Sequence, residues 1–487
     1  MDNLAERWLK PEGQGAPAVD FGRVRATIDA GEYWSGDLGD NVFYGGSGND
    51  TADGRAGNDL LFGGGGLDFL VGGEGADTLI AGNDDATLMG DAGDDVLRAG
   101  DQGASLAGGE GNDRIFGGAG DDEVYDPLGM NSIRTGDGAD VVTGVGVQIY
   151  TGAGVDILNL TSWFFDVRAG QGNDQLSATA TGIGAIDMGA GDDRVTLSGT
   201  AVQAGGLTGG AGHDQLFLRD RAGVEFTTRP FRFSDTEPPK GGRGFEELFL
   251  TGQANRVSGQ VNGLLIESST GAHSITLHGR DIAIHLTGRG ADSVTFVGSG
   301  TVETGRGADS ITINGPRHAT RVIDAGDGGD HITLQGSARV MAGGGNDDLF
   351  VRSDSATAKA EIDMGAGNDT VVAEGAFGQL SLGAGADMLE LDWGITGQVS
   401  LGAGADRIVW RSAYGDNDIT VSDFNVTRDR IAIDGIDSLS DFTSATQKGG
   451  ALVLHLHPRG LDPEYDGGIY LRLLGVTADQ ITDAIFT

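Results

Sequence analysis

The sequence predicts an all-β protein, a right-handed parallel β-roll and β-helix solenoid closed by a β-rich C-terminal cap. Three observations lead there. A nine-residue pattern repeats without a gap over residues 36–125, 89 of the 487 residues are Gly, and 72 acidic side chains face 32 basic ones. Self-similarity at a short fixed period marks a solenoid, in which each repeat packs only on its neighbours. Gly at nearly one residue in five is more than twice average usage, so the repeat itself must require it.

The formal net charge of -40 repels nucleic acid and anionic membranes and invites a multivalent cation. With 38% hydrophobic residues the chain can still bury a core. It has no Cys, which excludes disulfides and thiolate metal sites. No run of 18 apolar residues suggests a membrane helix. The start, MDNLAERWLKPEGQ, has neither the basic opening nor the apolar stretch of a secretory signal.

Residues 1–35 fall outside the repeat and are expected to form an N-terminal cap or anchor. Leu4, Trp8 and Leu9 suit one side of a short helix, and residues 21–34 suit strands. The nonapeptides then read GGSGNDTAD (45–53), GRAGNDLLF (54–62), GGGGLDFLV (63–71) and GGEGADTLI (72–80). GDAGDDVLR (90–98), GGEGNDRIF (108–116) and GGAGDDEVY (117–125) keep the same register. The frame is Gly-Gly-x-Gly-x-Asp-x-U-x with U apolar. It resembles the repeats-in-toxin (RTX) haemolysin-type calcium-binding family, whose nonapeptide has this pattern.

Calcium takes six to eight oxygens from carboxylates and backbone carbonyls. The sixth-position Asp supplies the carboxylate, at Asp50, Asp59, Asp68, Asp77, Asp95, Asp113 and Asp122. Gly tolerates positive φ and turns its carbonyl inward. That role falls to Gly46, Gly48, Gly57, Gly64, Gly66, Gly73, Gly75, Gly93, Gly109, Gly111, Gly118 and Gly120. The x-U-x triplet is a short strand. Two nonapeptides make one coil, so each ion is shared between loops eighteen residues apart.

Units 81–89 (AGNDDATLM) and 99–107 (AGDQGASLA) break the pattern on the same side of the roll. One calcium row is therefore expected to be complete and the other interrupted, with Asp50 and Asp68 still sharing an ion. Unit 36–44 carries Asn41 in place of Asp and starts a weakened turn.

After residue 125 the period lengthens to about one coil. In residues 126–214 the Asp recurs at Asp140, Asp156, Asp174, Asp193 and Asp214. In 288–418 it recurs at Asp292, Asp309, Asp330, Asp347, Asp369, Asp387 and Asp406. Alternating strands such as Asp309-Ser-Ile-Thr-Ile follow, so both segments read as β-helix with calcium loops on one edge. About twenty coils at roughly 4.8 Å each give a rod on the order of 100 Å. Roughly fifteen calcium ions would offset about +30 of the charge.

Residues 215–287 lack calcium loops and read as calcium-free coils with a protruding loop at 219–243. The loop collects Arg229, Phe231, Arg232, Phe233 and Lys240, a basic and aromatic candidate for partner contact. Residues 419–487 are expected to form the C-terminal cap and export signal. Ile419-Thr-Val-Ser-Asp423-Phe424 followed by Arg428-Asp429-Arg430-Ile431 is similar to the segment that ends the rolls of serralysin-type proteins. The final Asp483-Ala-Ile-Phe-Thr487 resembles a tail read by type I secretion machinery. These resemblances imply a secreted bacterial protein, extracellular or at the cell surface. It would thread a channel unfolded and fold at extracellular calcium, where such modules bind at about 10⁻⁴ to 10⁻³ M.

No catalytic residue is expected. The chain contains no His-Glu-x-x-His and no Gly-x-Ser-x-Gly, the signatures of zinc proteases and serine hydrolases. His455 and His457 share a strand face, and His273, His278 and His285 fall in the calcium-free coils. A structural, self-assembling cell-surface protein, of surface-layer or matrix type, is the leading expectation. An adhesin that binds surface polysaccharide comes next, and a carbohydrate-active enzyme last.

Overall fold

The computed structural model describes residues 24–25, 31, 33–145, 148–162, 166–180, 183–198, 204–219, 247–251, 256–315, 320–353, 360–411, 417–433, 436–456 and 468–486. The chain divides into two compact units, Met1–Val145 and Gly146–Thr487. Both are all-β among the described residues, apart from short 3-10 turns near the C-terminus. The solenoid has about eighteen turns, against the twenty expected. The strands Gln215–Arg219 and Glu247–Thr251 are direct neighbours in register.

In the first unit, alternate nonapeptides build two parallel sheets. One contains Val42–Gly46, Leu60–Gly64, Thr78–Gly82, Val96–Arg98, Arg114–Gly118 and Ser132–Asp137. The other contains Thr51–Ala56, Asp68–Glu74, Ala86–Ala92, Ala104–Glu110, Glu123–Asp126 and Val141–Gly144. Val42 pairs with Leu60 and Thr51 with Phe69, so one coil is eighteen residues, as the repeat implies.

Alternation along each strand turns the sixth, eighth and first positions inward. The eighth position stacks Leu61, Leu70, Leu79, Leu88, Leu97, Leu106 and Ile115 into a core line, each at most 1% exposed. Each such side chain stabilises the fold by about 1.5–3 kcal/mol. Because units 81–89 and 99–107 keep this residue, the wall continues through them. At the N-terminal end, Val24–Arg25 pairs with Val42–Phe43 and Tyr33–Ser35 with Thr51–Asp53. These are the strands expected there, and Trp34 stacks on Phe43 at 5.1 Å. Leu4, Trp8 and Leu9 lie outside the described residues.

In the second unit the coil length varies, from 17 residues in Ser293↔Ser310 to 18, 19 and 21 in Gln148↔Asp166, Gln175↔Arg194 and Arg194↔Gln215. In some coils the two short strands merge, as in Ser274–Leu286, Ser293–Glu303 and Thr370–Ser381. Ser274–Leu286 pairs along its length with both Arg256–Asn262 and Leu265–Ser268. Beside it, the register with Ser293–Glu303 shifts between Gly279 and Ile282.

The parallel stack ends in an antiparallel cap. Ile469–Leu474 adds in parallel to Asn417–Val421, and Ala451–Leu456 and Ser444–Lys448 follow it in antiparallel order. The hairpin covers an edge that could otherwise recruit another strand. The tail is held too: Ile485 and Phe486 are buried and Phe486 packs on Phe442 at 5.6 Å.

Candidate metal centre

All nineteen Asp residues expected as ligands are buried, none more than 3% exposed. They stack in four rows. The first holds Asp59, Asp77, Asp95 and Asp113, where the N–H of each donates to Oδ1 of the next at 2.6–2.8 Å. The second keeps two separate pairs, Asp50 with Asp68 and Asp122 with Asp140, both at 2.9 Å. Ala86 and Ala104 fill the positions between them, so the complete and interrupted rows fall where the sequence placed them. The third row links Asp156, Asp174, Asp193 and Asp214. The fourth runs from Asp292 through Asp309, Asp330, Asp347, Asp369 and Asp387 to Asp406.

Oδ1 of each accepting carboxylate in these rows is thus used by the neighbouring coil. The other, Oδ2, is buried and accepts no hydrogen bond in Asp59, Asp68, Asp77, Asp95, Asp113, Asp122, Asp174 and Asp193. The same holds for Asp292, Asp309, Asp330, Asp347, Asp369, Asp387 and Asp406. A carboxylate oxygen in that position is strongly unfavourable unless a cation compensates it. Burial accordingly raises the pKa of Asp59 and Asp95 to about 7, against the opposing hydrogen bonds from Asn41 and Asp77. Asp174, Asp292 and Asp330 are likewise pushed up to about 7 by burial.

The cradle is built from Gly. A Cβ on Gly72 would strike the Asp77 carboxylate, and one on Gly90 would strike that of Asp95. Gly75, at φ +129°, lies over the carbonyl of Gly57 one coil earlier. Of the twelve Gly expected to turn carbonyls, Gly57, Gly64, Gly66, Gly73, Gly75, Gly93, Gly109, Gly111 and Gly118 have positive φ. Gly46, Gly48 and Gly120 do not, which corrects that expectation. At Gly120 the constraint is a close approach, since a Cβ would run into Gln102 and Gly103. Gly72→Ala should therefore displace the Asp77 carboxylate. We expect at least a threefold rise in the calcium concentration at half-maximal folding, read by circular dichroism.

Among the described residues no three His, Cys, Asp or Glu side chains converge on one point. A site between two coils would combine two carboxylates with backbone carbonyls, an all-oxygen set suited to a hard divalent cation such as calcium. His455 stacks on Tyr470 at 4.2 Å, and His457 lies outside the described residues.

Several participants were not singled out in the sequence. Position five carries a second rail, in which Asn58 Oδ1 accepts from Ala76 N–H and Asn112 Oδ1 from Met130 N–H, at 2.8 and 2.9 Å. Frequent Asn or Asp at that position was the available signal. The row ends also differ from the interior. Asn131 Oδ1 accepts from Asp113 N–H at 2.8 Å, while Asn41 opens the same row by donating to Asp59. An end residue has a neighbour on one side only, and a neutral amide avoids a half-compensated charge.

His273, read from the sequence only as part of a calcium-free coil, opens the fourth row. It is 3% exposed, and its N–H donates to Asp292 at 2.6 Å. Burial lowers its pKa, so this end is neutral too. The reason was visible in Gly271-Ala272-His273, where His stands in the frame of Asp. Asp429 closes the row, accepting from Asp406 N–H and Asn425 N–H. Asp423 closes the adjacent edge with three donors from Ser400, Leu401 and Gly402 at 2.6–2.9 Å. Asp126, buried beside Asp113, was missed because it stands outside the nonapeptide frame, and burial raises its pKa to about 7. The expected partner-contact residues Arg229, Phe231, Arg232, Phe233 and Lys240 lie outside the described residues.

Residues 35–70, 62–97 and 98–125 match the family model of the RTX calcium-binding nonapeptide repeat, in four copies. No curated protein matches the chain. These residues are RTX calcium-binding repeats, and the parallel β-solenoid they form is the fold the sequence implied.

Proposed function

We propose that this calcium-binding RTX protein is secreted, folds on extracellular calcium, and serves as a self-assembling structural element of the cell surface. The observation that carries the reading is the stacking of buried carboxylates with an unused oxygen, repeated coil after coil. Without a cation those charges oppose folding, so compartment decides the state of the chain. Fourteen adjacent Asp pairs would offer about as many interloop sites for calcium. Type I secretion machinery is the export partner this scheme requires, and the buried tail at Ile485 and Phe486 would be readable before folding.

Assembly draws support from one wall of the first unit. Arg98, Phe116 and Arg134 occupy successive rungs, with the Arg98 guanidinium 4.3 Å from the Phe116 ring centre. A basic, aromatic stripe on a chain of charge -40 complements the acidic surface of a second copy. Electron microscopy of the purified chain should show sheets or filaments in millimolar calcium and none in EDTA. Arg98→Glu/Arg134→Glu should abolish them while leaving the circular dichroism intact. A wild-type chain that stays monomeric in calcium at high concentration would rule out self-assembly.

A further inference from the structure

The geometry points to an oligosaccharide-binding trough in the second unit, which we propose takes an uncharged, hydroxyl-rich glycan chain. It has a volume of about 450 Å³, within the range of ligand sites. Its floor is the outer face of five neighbouring parallel strands, and its lining includes Leu474 of the capping hairpin.

Side chains at equivalent positions form two ladders across these strands. Glu361 pairs with Gln379, Gln379 with Gln398 and Gln398 with Thr420. Two residues further along, Asp363 pairs with Ser381 and Ser381 with Ser400. Their inward neighbours Ile362, Leu380 and Val399 are at most 4% exposed, so the core fixes the outward set. Five strands at roughly 4.8 Å spacing span about 19 Å, the shape of a chain site.

The chemistry selects the ligand class. Amides and hydroxyls each both donate and accept, which matches sugar hydroxyls. Ser400 gives its proton to Asp423 at 2.6 Å, leaving its lone pairs as acceptors. The carboxylates of Glu361, Asp363 and Asp423 disfavour acidic sugars and nucleic acid. A peptide strand would need an open sheet edge, whereas these strands are paired on both sides within the solenoid.

The test uses the full chain in calcium, titrated calorimetrically with cello-, malto-, manno- and chitohexaose. At least one should bind at millimolar concentration or tighter. Gln379→Ala/Gln398→Ala should weaken that binding at least tenfold with unchanged circular dichroism. The isosteric Gln398→Glu, which preserves shape and removes a donor, should weaken it at least threefold. No binding by any of the four, binding unaffected by both variants, or binding of acidic oligosaccharides alone would overturn the proposal. The result is independent of whether the chain assembles.

Discussion

Removing calcium with EDTA at pH 8 should abolish the β-sheet circular dichroism of the whole chain, and acidification to pH 5.5 without calcium should restore part of it. The sign follows from the carboxylates. Asp59, Asp95, Asp122 and Asp292 have folded-state values near 7, above the ordinary Asp value of about 3.9. Groups raised in this way hold more protons in the folded chain than in the unfolded one. Their contribution to stability is therefore fully present below about pH 4 and is lost as pH rises through about 7. At about 1.4 kcal/mol per pH unit, each such group costs the metal-free fold roughly 4 kcal/mol at pH 8. A few kcal/mol is already a large fraction of the 5–15 kcal/mol stability of an ordinary domain.

Calcium reverses the balance by compensating the ionised form. Loading the metal-free fold near pH 6 should release protons, measurable as a buffer-dependent heat. Folding from the unfolded chain should behave differently. Its carboxylates are already ionised above about pH 5, as they are in the calcium-loaded fold, so the calcium midpoint should stay flat between pH 6 and 8. A β-spectrum that persists in EDTA at pH 8 would refute the calcium dependence of the fold.

The regular part of this architecture was legible because the repeat ties three constraints to one register. In unit 72–80, Gly72 must clear the carboxylate, Asp77 must supply it, and Leu79 must fill the core. A residue satisfying one constraint by accident would not satisfy the others nine residues away. The row ends were harder to read, because an end is defined by a missing neighbour and not by a motif. Asn131 receives a row through its side-chain Oδ1 and His273 opens one through its backbone N–H, and only their position in the stack reveals the role. The trough at Gln379 and Gln398 was illegible for a related reason. Outward positions in a solenoid wall carry no constraint from the core, and their alignment across these strands depends on coil lengths of 18, 19 and 22 residues that no single period predicts.

Asp95→Asn should lower the calcium stoichiometry by about two ions, and Asp68→Asn by about one. Asp95 sits inside the complete row, receiving the N–H of Asp77 at 2.7 Å and donating its own to Asp113 at 2.8 Å. It therefore borders two interloop sites. Asp68 receives from Asp50 at 2.9 Å but is followed in its row by Ala86, so it borders one. Asn is the informative replacement because the fold already accommodates it: Asn131 accepts from Asp113 with the geometry an Asp would have. The ladder hydrogen bond should survive while the charge disappears. In the metal-free chain, Asp95→Asn should then raise the pH at which the β-sheet circular dichroism is lost, since it removes a buried carboxylate that nothing compensates once it ionises. Asp95→Ala should lose the same two ions without that gain, because the Asp77 N–H is left without its acceptor, at a cost of about 1–3 kcal/mol. Native mass spectrometry gives the ion counts, and urea titration in EDTA at low pH, where the metal-free fold is populated, compares the Asn and Ala variants. Equal ion loss from Asp95→Asn and Asp68→Asn would mean that each loop binds calcium alone and that the rows are stacks of independent sites.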